Sequence, residues 1–163
     1  LLCDMVADLR LAHRALLELP GVDPTRVSIA GFSMGGTLAY LYAALHTEVA
    51  ACAQLIVFSD IAPLIATGMH DLHGHYMTIG GLLPDHDMGD ISALVAPRRQ
   101  LICTGEKDPL TPDAGYGAAV ERVRCAYAAE GALANLKLLR DPHAGHEETR
   151  EMRSRVLAFL QSA

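Results

Sequence analysis

The stretch Gly31-Phe32-Ser33-Met34-Gly35-Gly36 lies between two apolar runs of different character. Before it, Arg26 to Phe32 (RVSIAGF) reads as a short buried strand. After it, Thr37 to His46 is apolar nearly all round and reads as a buried helix. A strand that passes into a helix over so few residues must turn sharply. A serine at the apex of such a turn projects into a crevice with its backbone strained. Neighbouring side chains would clash there, which accounts for glycines two before and two after it, Gly31 and Gly35. The following helix points its N-terminus at the serine, so the backbone N–H of Met34 is expected to face negative charge there, as an oxyanion donor. A purely structural glycine turn can share this pattern. The strand before it and the helix after it favour the serine-presenting reading.

The rest of the chain alternates in the same way. Leu2, Met5, Val6, Leu9, Leu16 and Leu17 mark an amphipathic helix that ends at Pro20-Gly21. Ala51 to Phe58 reads as a second buried strand, Arg99 to Thr104 as a third and Asn135 to Leu139 as a fourth. Between the last two lies a helix with Thr111 as its expected N-cap and Pro112 at its first position. It carries Val120, Val123 and Tyr127 on one face and stops at Gly131. A final helix sets Met152, Val156, Phe159 and Leu160 against charges on its other side. Strands alternating with helices predict an α/β fold, mainly a parallel sheet of about four strands with flanking helices. At 163 residues the chain is expected to be a single domain, 1–163.

Composition narrows the partners. Hydrophobic residues make up 51% and charged residues 20%, which excludes a disordered or low-complexity chain. The formal net charge of −6 argues against nucleic acid or an anionic membrane as the main partner. The longest apolar stretch is broken by Asp60 and Pro63 and falls short of the ~20 residues a membrane-spanning helix needs. Cys3, Cys52, Cys103 and Cys125 show no C-x-x-C spacing and are expected to be reduced thiols in a cytoplasmic protein. The first residue is Leu1 and the opening already reads as helix, so the chain is expected to be a fragment, and any signal peptide would lie outside it.

A serine hydroxyl needs a base, and the base needs an orienting acid. In an open α/β sheet both are expected past the carboxyl ends of later strands. The third strand runs into Gly105-Glu106-Lys107-Asp108-Pro109, the fourth into Asp141-Pro142-His143-Ala144-Gly145-His146. Ser33, Asp108 and His146 are therefore the expected nucleophile, acid and base. Glu106 and Asp113 compete with Asp108, and His143 with His146. Residues 59–90 show no clean period and read as a loop region covering the pocket. Phe32, Tyr76 and Met77 are expected to contact substrate, with Leu82 beside them. His70, Asp71, His73, His75, His86 and Asp87 are metal-ligand types, but no H-E-x-x-H spacing occurs. They read as a pocket rim, and neither metal nor cofactor is expected.

These motifs resemble the α/β-hydrolase superfamily, and more narrowly its dienelactone-hydrolase and acetyl-xylan-esterase-like branch. GFSMGG at 31–36, GEKDPLTP at 105–112 and HAGHE at 143–147 carry the resemblance. DISALVAPRRQLICTGEKD (90–108), with its Ala-Pro-Arg ahead of the strand, and GHYMTIGGLL (74–83) add to it. It covers nearly all of the chain but only the C-terminal half of the family's domain. That core has about eight strands, so those before the first strand, and the loop that supplies a second oxyanion donor, are not found. The first strand is then expected to be a bare apolar edge. The resemblance implies Ser33 as nucleophile, Asp108 as acid and His146 as base. It implies a serine hydrolase cleaving a carboxylic ester of a small molecule through an acyl-enzyme. Dienelactone hydrolases proper use cysteine where Ser33 stands. The alternatives are a prolyl-oligopeptidase-type peptidase domain and a truncated, non-catalytic hydrolase serving as an interaction module.

Overall fold

In the computed structural model, which describes residues 1–162, four strands form one parallel sheet in the order β1-β2-β3-β4. They are β1 (Ile29–Phe32), β2 (Ala51–Leu55), β3 (Arg99–Gly105) and β4 (Leu136–Asp141). The register sets Phe32 opposite Leu55, Leu55 opposite Cys103 and Cys103 opposite Leu139. The carboxyl ends therefore lie along one rim, and the segments after β1, β3 and β4 emerge side by side. β1 pairs only with β2 and is an edge strand, with Phe32 exposed.

The helices are α1 (Leu2–Leu17), α2 (Met34–Leu45), α3 (Ile61–Thr67), α4 (Met88–Ala93), α5 (Asp113–Ala129) and α6 (Arg150–Gln161). Strand side chains point alternately to the two faces of the sheet. Cys52 and Ile102 join Tyr40, Phe58, Val123 and Tyr127 in one core that includes α2, α4 and α5. Ala51, Ala53, Leu55, Leu101 and Cys103 face the other way, onto Met152, Val156 and Phe159 of α6. Both faces of the two central strands are thus covered, which is why those strands read as unbroken apolar runs. Arg98 ties the layers together. Its guanidinium donates to the carbonyls of Ala43, His46 and Val49, at 2.6, 3.1 and 3.0 Å. It thereby satisfies part of the open C-terminal end of α2.

Several boundaries differ from the sequence expectation. The strand expected over Arg26–Phe32 starts only at Ile29, because Pro24–Arg26 winds into a 3-10 turn capped by the Asp23 carboxylate. The helix expected from Thr37 begins at Met34, so the glycines after the serine form its first turn. β2 ends at Leu55 rather than Phe58, where Ile56 takes a φ of 57°. Thr111 is not the N-cap of α5; Pro112 holds that position. Its fixed φ and missing N–H suit it to a helix entry one residue earlier as well. The fourth strand runs to Asp141, not Leu139.

The largest difference is in residues 59–90, expected to lack regular structure. They contain α3, the start of α4, and 3-10 turns at Met69–Leu72 and His75–Met77. Two buried carboxylates organise them. Asp87 accepts from the backbone N–H of Ile61, Ala62 and Met88, at 2.6, 3.0 and 2.7 Å, and so serves the first turns of both helices. Asp60 accepts from Gly89 N–H at 2.8 Å and from Arg122 Nε at 3.0 Å. Helices of six and seven residues are too short for a helical period to show in sequence.

Candidate active site

The backbone at Ser33 has φ 52° and ψ −125°, outside the ordinary regions for an L-residue. Two features hold it there. Ser33 N–H donates to Leu55 O at 2.8 Å, which locks the end of β1 to β2. The chain then folds back so tightly that a Cβ on Gly31 would sit 1.9 Å from Gly35 O. A Cβ on Gly36 would meet Val57 Cγ1 at 2.8 Å and Gly31 O at 3.0 Å, whereas one on Gly35 would meet nothing within 4 Å. The glycines that the turn requires are therefore Gly31 and Gly36; the expectation for Gly35 does not hold. Met34 follows as the first residue of α2, with its N–H among the four at the helix start that lack an intrahelical acceptor.

β3 and β4 bring the other two groups to the serine. Gly105 closes β3 directly against the turn that follows β4, where a Cβ would lie 2.4 Å from Ala144 O and 2.5 Å from Gly145 O. Glu106 N–H donates to Asp141 O and Lys107 N–H to Ala144 O, each at 2.9 Å. This backbone clamp sets Asp108 beside His146. The Ser33 hydroxyl lies 2.9 Å from His146 Nε2, and His146 Nδ1 lies 2.8 Å from Asp108 Oδ2. The Asp108 side chain is fully buried, and its Oδ1 accepts from Leu110 N–H at 2.9 Å. A buried carboxylate acting as acceptor holds the imidazole with its proton on Nδ1, leaving Nε2 free to take one from the serine. The Phe32 ring meets the His146 imidazole edge to face, with centroids 5.6 Å apart.

The competing residues lie elsewhere. Asp113 pairs with Arg140. Glu106 and His143 are exposed, and His143 N–H donates to Asp141 Oδ1. Phe32 and Met34, on either side of the serine, are exposed. Tyr76 is half-buried, with its phenol in the neighbourhood of Ser33 and Asp108. Met77 does not line the site. It is fully buried in the main core, its sulfur 3.8 Å from Thr37 Oγ1. The 3-10 turn that carries both residues points Tyr76 to the rim and Met77 inward. Met77→Ala is accordingly expected to lower stability by about 2–5 kcal/mol, a cavity effect read by chemical denaturation. Leu82 is half-buried against the same core.

The histidine-rich stretch is put to local use. His70 Nε2 lies 3.3 Å from Met77 O, Asp87 caps helices, and His75, His86 and Asp71 are exposed. Among the described residues, no three His, Cys, Asp or Glu side chains gather as a metal site. His73 is the residue whose place in the site the sequence did not single out. Its Nε2 lies 2.9 Å from Leu110 O and its Nδ1 3.1 Å from the Tyr76 hydroxyl. Burial lowers its pKa, although the bond to Leu110 opposes this. Burial raises the Tyr76 pKa, as does the nearby charge of Asp108. The available signal was the His-x-x-Tyr spacing, which puts two polar groups side by side in a tight turn. Burial also pushes the thiols of Cys52 and Cys103 up to about 12, which keeps them unreactive.

Residues 3–64 match the family model of the dienelactone hydrolase family. The chain is 34% identical over 140 residues to YtaP of Bacillus subtilis (strain 168), which carries the name of a hydrolase. The fold superposes with a TM-score of 0.78 on a carbohydrate esterase family 15 glucuronoyl esterase from Caldicellulosiruptor kristjansonii, at 20% identity. The chain shares the fold of that esterase, and over residues 3–64 it is similar to the dienelactone hydrolase family. Acetyl xylan esterase 1 from Thermoanaerobacterium sp. JW/SL YS485 superposes with a TM-score of 0.70, at 19% identity. The chain is covered over 86% of its length by the match to YtaP, and over 98% and 96% by the two esterase structures. It spans 46% of YtaP, 49% of the glucuronoyl esterase and 51% of the acetyl xylan esterase.

Proposed function

We propose that the chain carries the nucleophile, base and acid of a serine esterase acting on a carboxylic ester. The observation that carries this reading is the hydrogen-bonded line from Ser33 through His146 to the buried Asp108, with Ser33 on a strained strand-to-helix turn. Ser33 Oγ attacks the ester carbonyl while His146 Nε2 takes its proton. Asp108 holds the Nδ1–H and stabilises the imidazolium. Met34 N–H, at the start of α2, donates to the oxyanion. The imidazolium then protonates the departing alcohol, leaving an acyl-enzyme that water hydrolyses by the same groups in reverse roles. The names of the relatives support an ester on a small molecule or a carbohydrate as the substrate class.

The test is labelling of the purified protein with a fluorophosphonate, the adduct located by mass spectrometry. A single adduct at Ser33 that is lost in His146→Ala is the expected result. No adduct on folded protein, or one that survives in His146→Ala, would overturn the reading.

A further inference from the structure

Tyr76 and His73 extend the line of hydrogen-bonding groups at the site. It runs from Ser33 to His146 to Asp108, then through the Leu110 backbone to His73 and on to Tyr76, whose phenol lies in the neighbourhood of Ser33 and Asp108. Proton counting fixes the direction of half of it. Leu110 O is a carbonyl and can only accept, so His73 Nε2 carries a hydrogen. A neutral His73 then has a bare Nδ1, and the hydrogen between it and Tyr76 must come from the phenol. Partial burial lowers the pKa of His73 and raises that of the phenol, and both shifts favour the neutral forms. With its only hydrogen committed to His73, Tyr76 turns lone pairs toward Ser33. It can accept a hydrogen bond beside the reacting atoms but cannot donate one.

An acceptor in that position has nothing to serve while Ser33 attacks, because the one serine hydrogen goes to His146 Nε2. The second half of the cycle is different, because the water that attacks the acyl-enzyme has two hydrogens. We propose that Tyr76, oriented by His73, accepts the second hydrogen bond of the hydrolytic water and so favours hydrolysis of the acyl-enzyme over its transfer to alcohols. This rests on the serine-esterase reading above. The water oxygen bonds to the acyl carbon, and one hydrogen passes to His146 Nε2. The other stays on the new hydroxyl, hydrogen-bonded to Tyr76 Oη. As the tetrahedral adduct collapses, the bond to Ser33 Oγ breaks, and His146 returns its proton to that oxygen. The products are free Ser33 and the carboxylic acid. Tyr76 is the residue that touches the reacting water; His73 is a positioning residue acting through it.

Methanol has one hydroxyl hydrogen, and that hydrogen is needed by His146. It therefore gains nothing from Tyr76, and its competition with water isolates the effect. The experiment follows p-nitrophenyl acetate turnover in dilute methanol and measures methyl acetate against acetate. In Tyr76→Phe the ratio of methanolysis to hydrolysis is expected to rise about tenfold, the value of one neutral hydrogen bond. His73→Ala should raise it similarly, and add little in the Tyr76→Phe background, because the two act as one unit. The product ratio is set after acylation, so a general loss of folded or active protein does not move it. An unchanged ratio in both variants would overturn the proposal, as would a His73→Ala effect that persists undiminished in Tyr76→Phe. If the unsubstituted protein neither labels at Ser33 nor turns over the ester, the serine-esterase reading fails and takes this proposal with it. Labelling with an unchanged ratio sinks the proposal alone.

Discussion

Ser33→Ala is expected to abolish fluorophosphonate labelling and to reduce kcat on an activated ester by on the order of 10⁶-fold. The Oγ removed is the atom that would bond to the acyl carbon, and no neighbouring side chain can take over. Asp108 is buried behind His146, the Tyr76 hydroxyl is hydrogen-bonded to His73, and the cysteines of the sheet are buried with raised pKa values. His146→Ala is expected to cost nearly as much, because the serine is inert without a proton acceptor at its 2.9 Å distance. The double variant should be little worse than either single one, since each already disables the same unit. The check is steady-state kinetics on the three proteins at equal folded concentration. Losses that multiply in the double variant would mean that the two residues act independently, against the mechanism.

Asp108→Asn is expected to lower kcat by about 10⁴-fold while leaving the fold intact. The reason lies in the second hydrogen bond of the carboxylate. Asp108 Oδ1 accepts from Leu110 N–H, a donor fixed by the backbone. An asparagine must turn its carbonyl oxygen to that N–H and its amide nitrogen to His146 Nδ1. The amide can only donate, so Nδ1 becomes the acceptor and the imidazole proton moves to Nε2. His146 then presents an N–H to Ser33 and cannot take its proton. Kinetics combined with thermal unfolding test this. A loss below tenfold, with an unchanged Tm, would remove Asp108 from the role of orienting acid.

How far the sequence reached can be seen residue by residue. Ser33, Asp108 and His146 were legible because each follows a strand, and parallel strands in sequential order deliver their carboxyl ends to one rim. Gly31 was legible because its clash is local, with a carbonyl four residues along the same turn. At Gly36 the nearest obstacle is Val57, a residue of another segment, which no local pattern signals. Met77 failed for a related reason. Nothing local distinguishes it from Tyr76, and the two diverge because the 3-10 turn sends adjacent side chains in different directions.

The sequence by itself therefore determined the alternation of strand and helix, the parallel sheet and which serine, histidine and carboxylate meet at its rim. These follow from periodicity and from turn sterics, which act over a few residues. Only the tertiary structure decided which glycine is cramped by a neighbour and that Asp60 and Asp87 organise residues 59–90. It alone joined His73 to Tyr76 and Leu110, and took Met77 into the core. Those outcomes depend on contacts between segments far apart in the chain. A buried polar group must find a partner wherever the fold supplies one, and local pattern does not encode where that is.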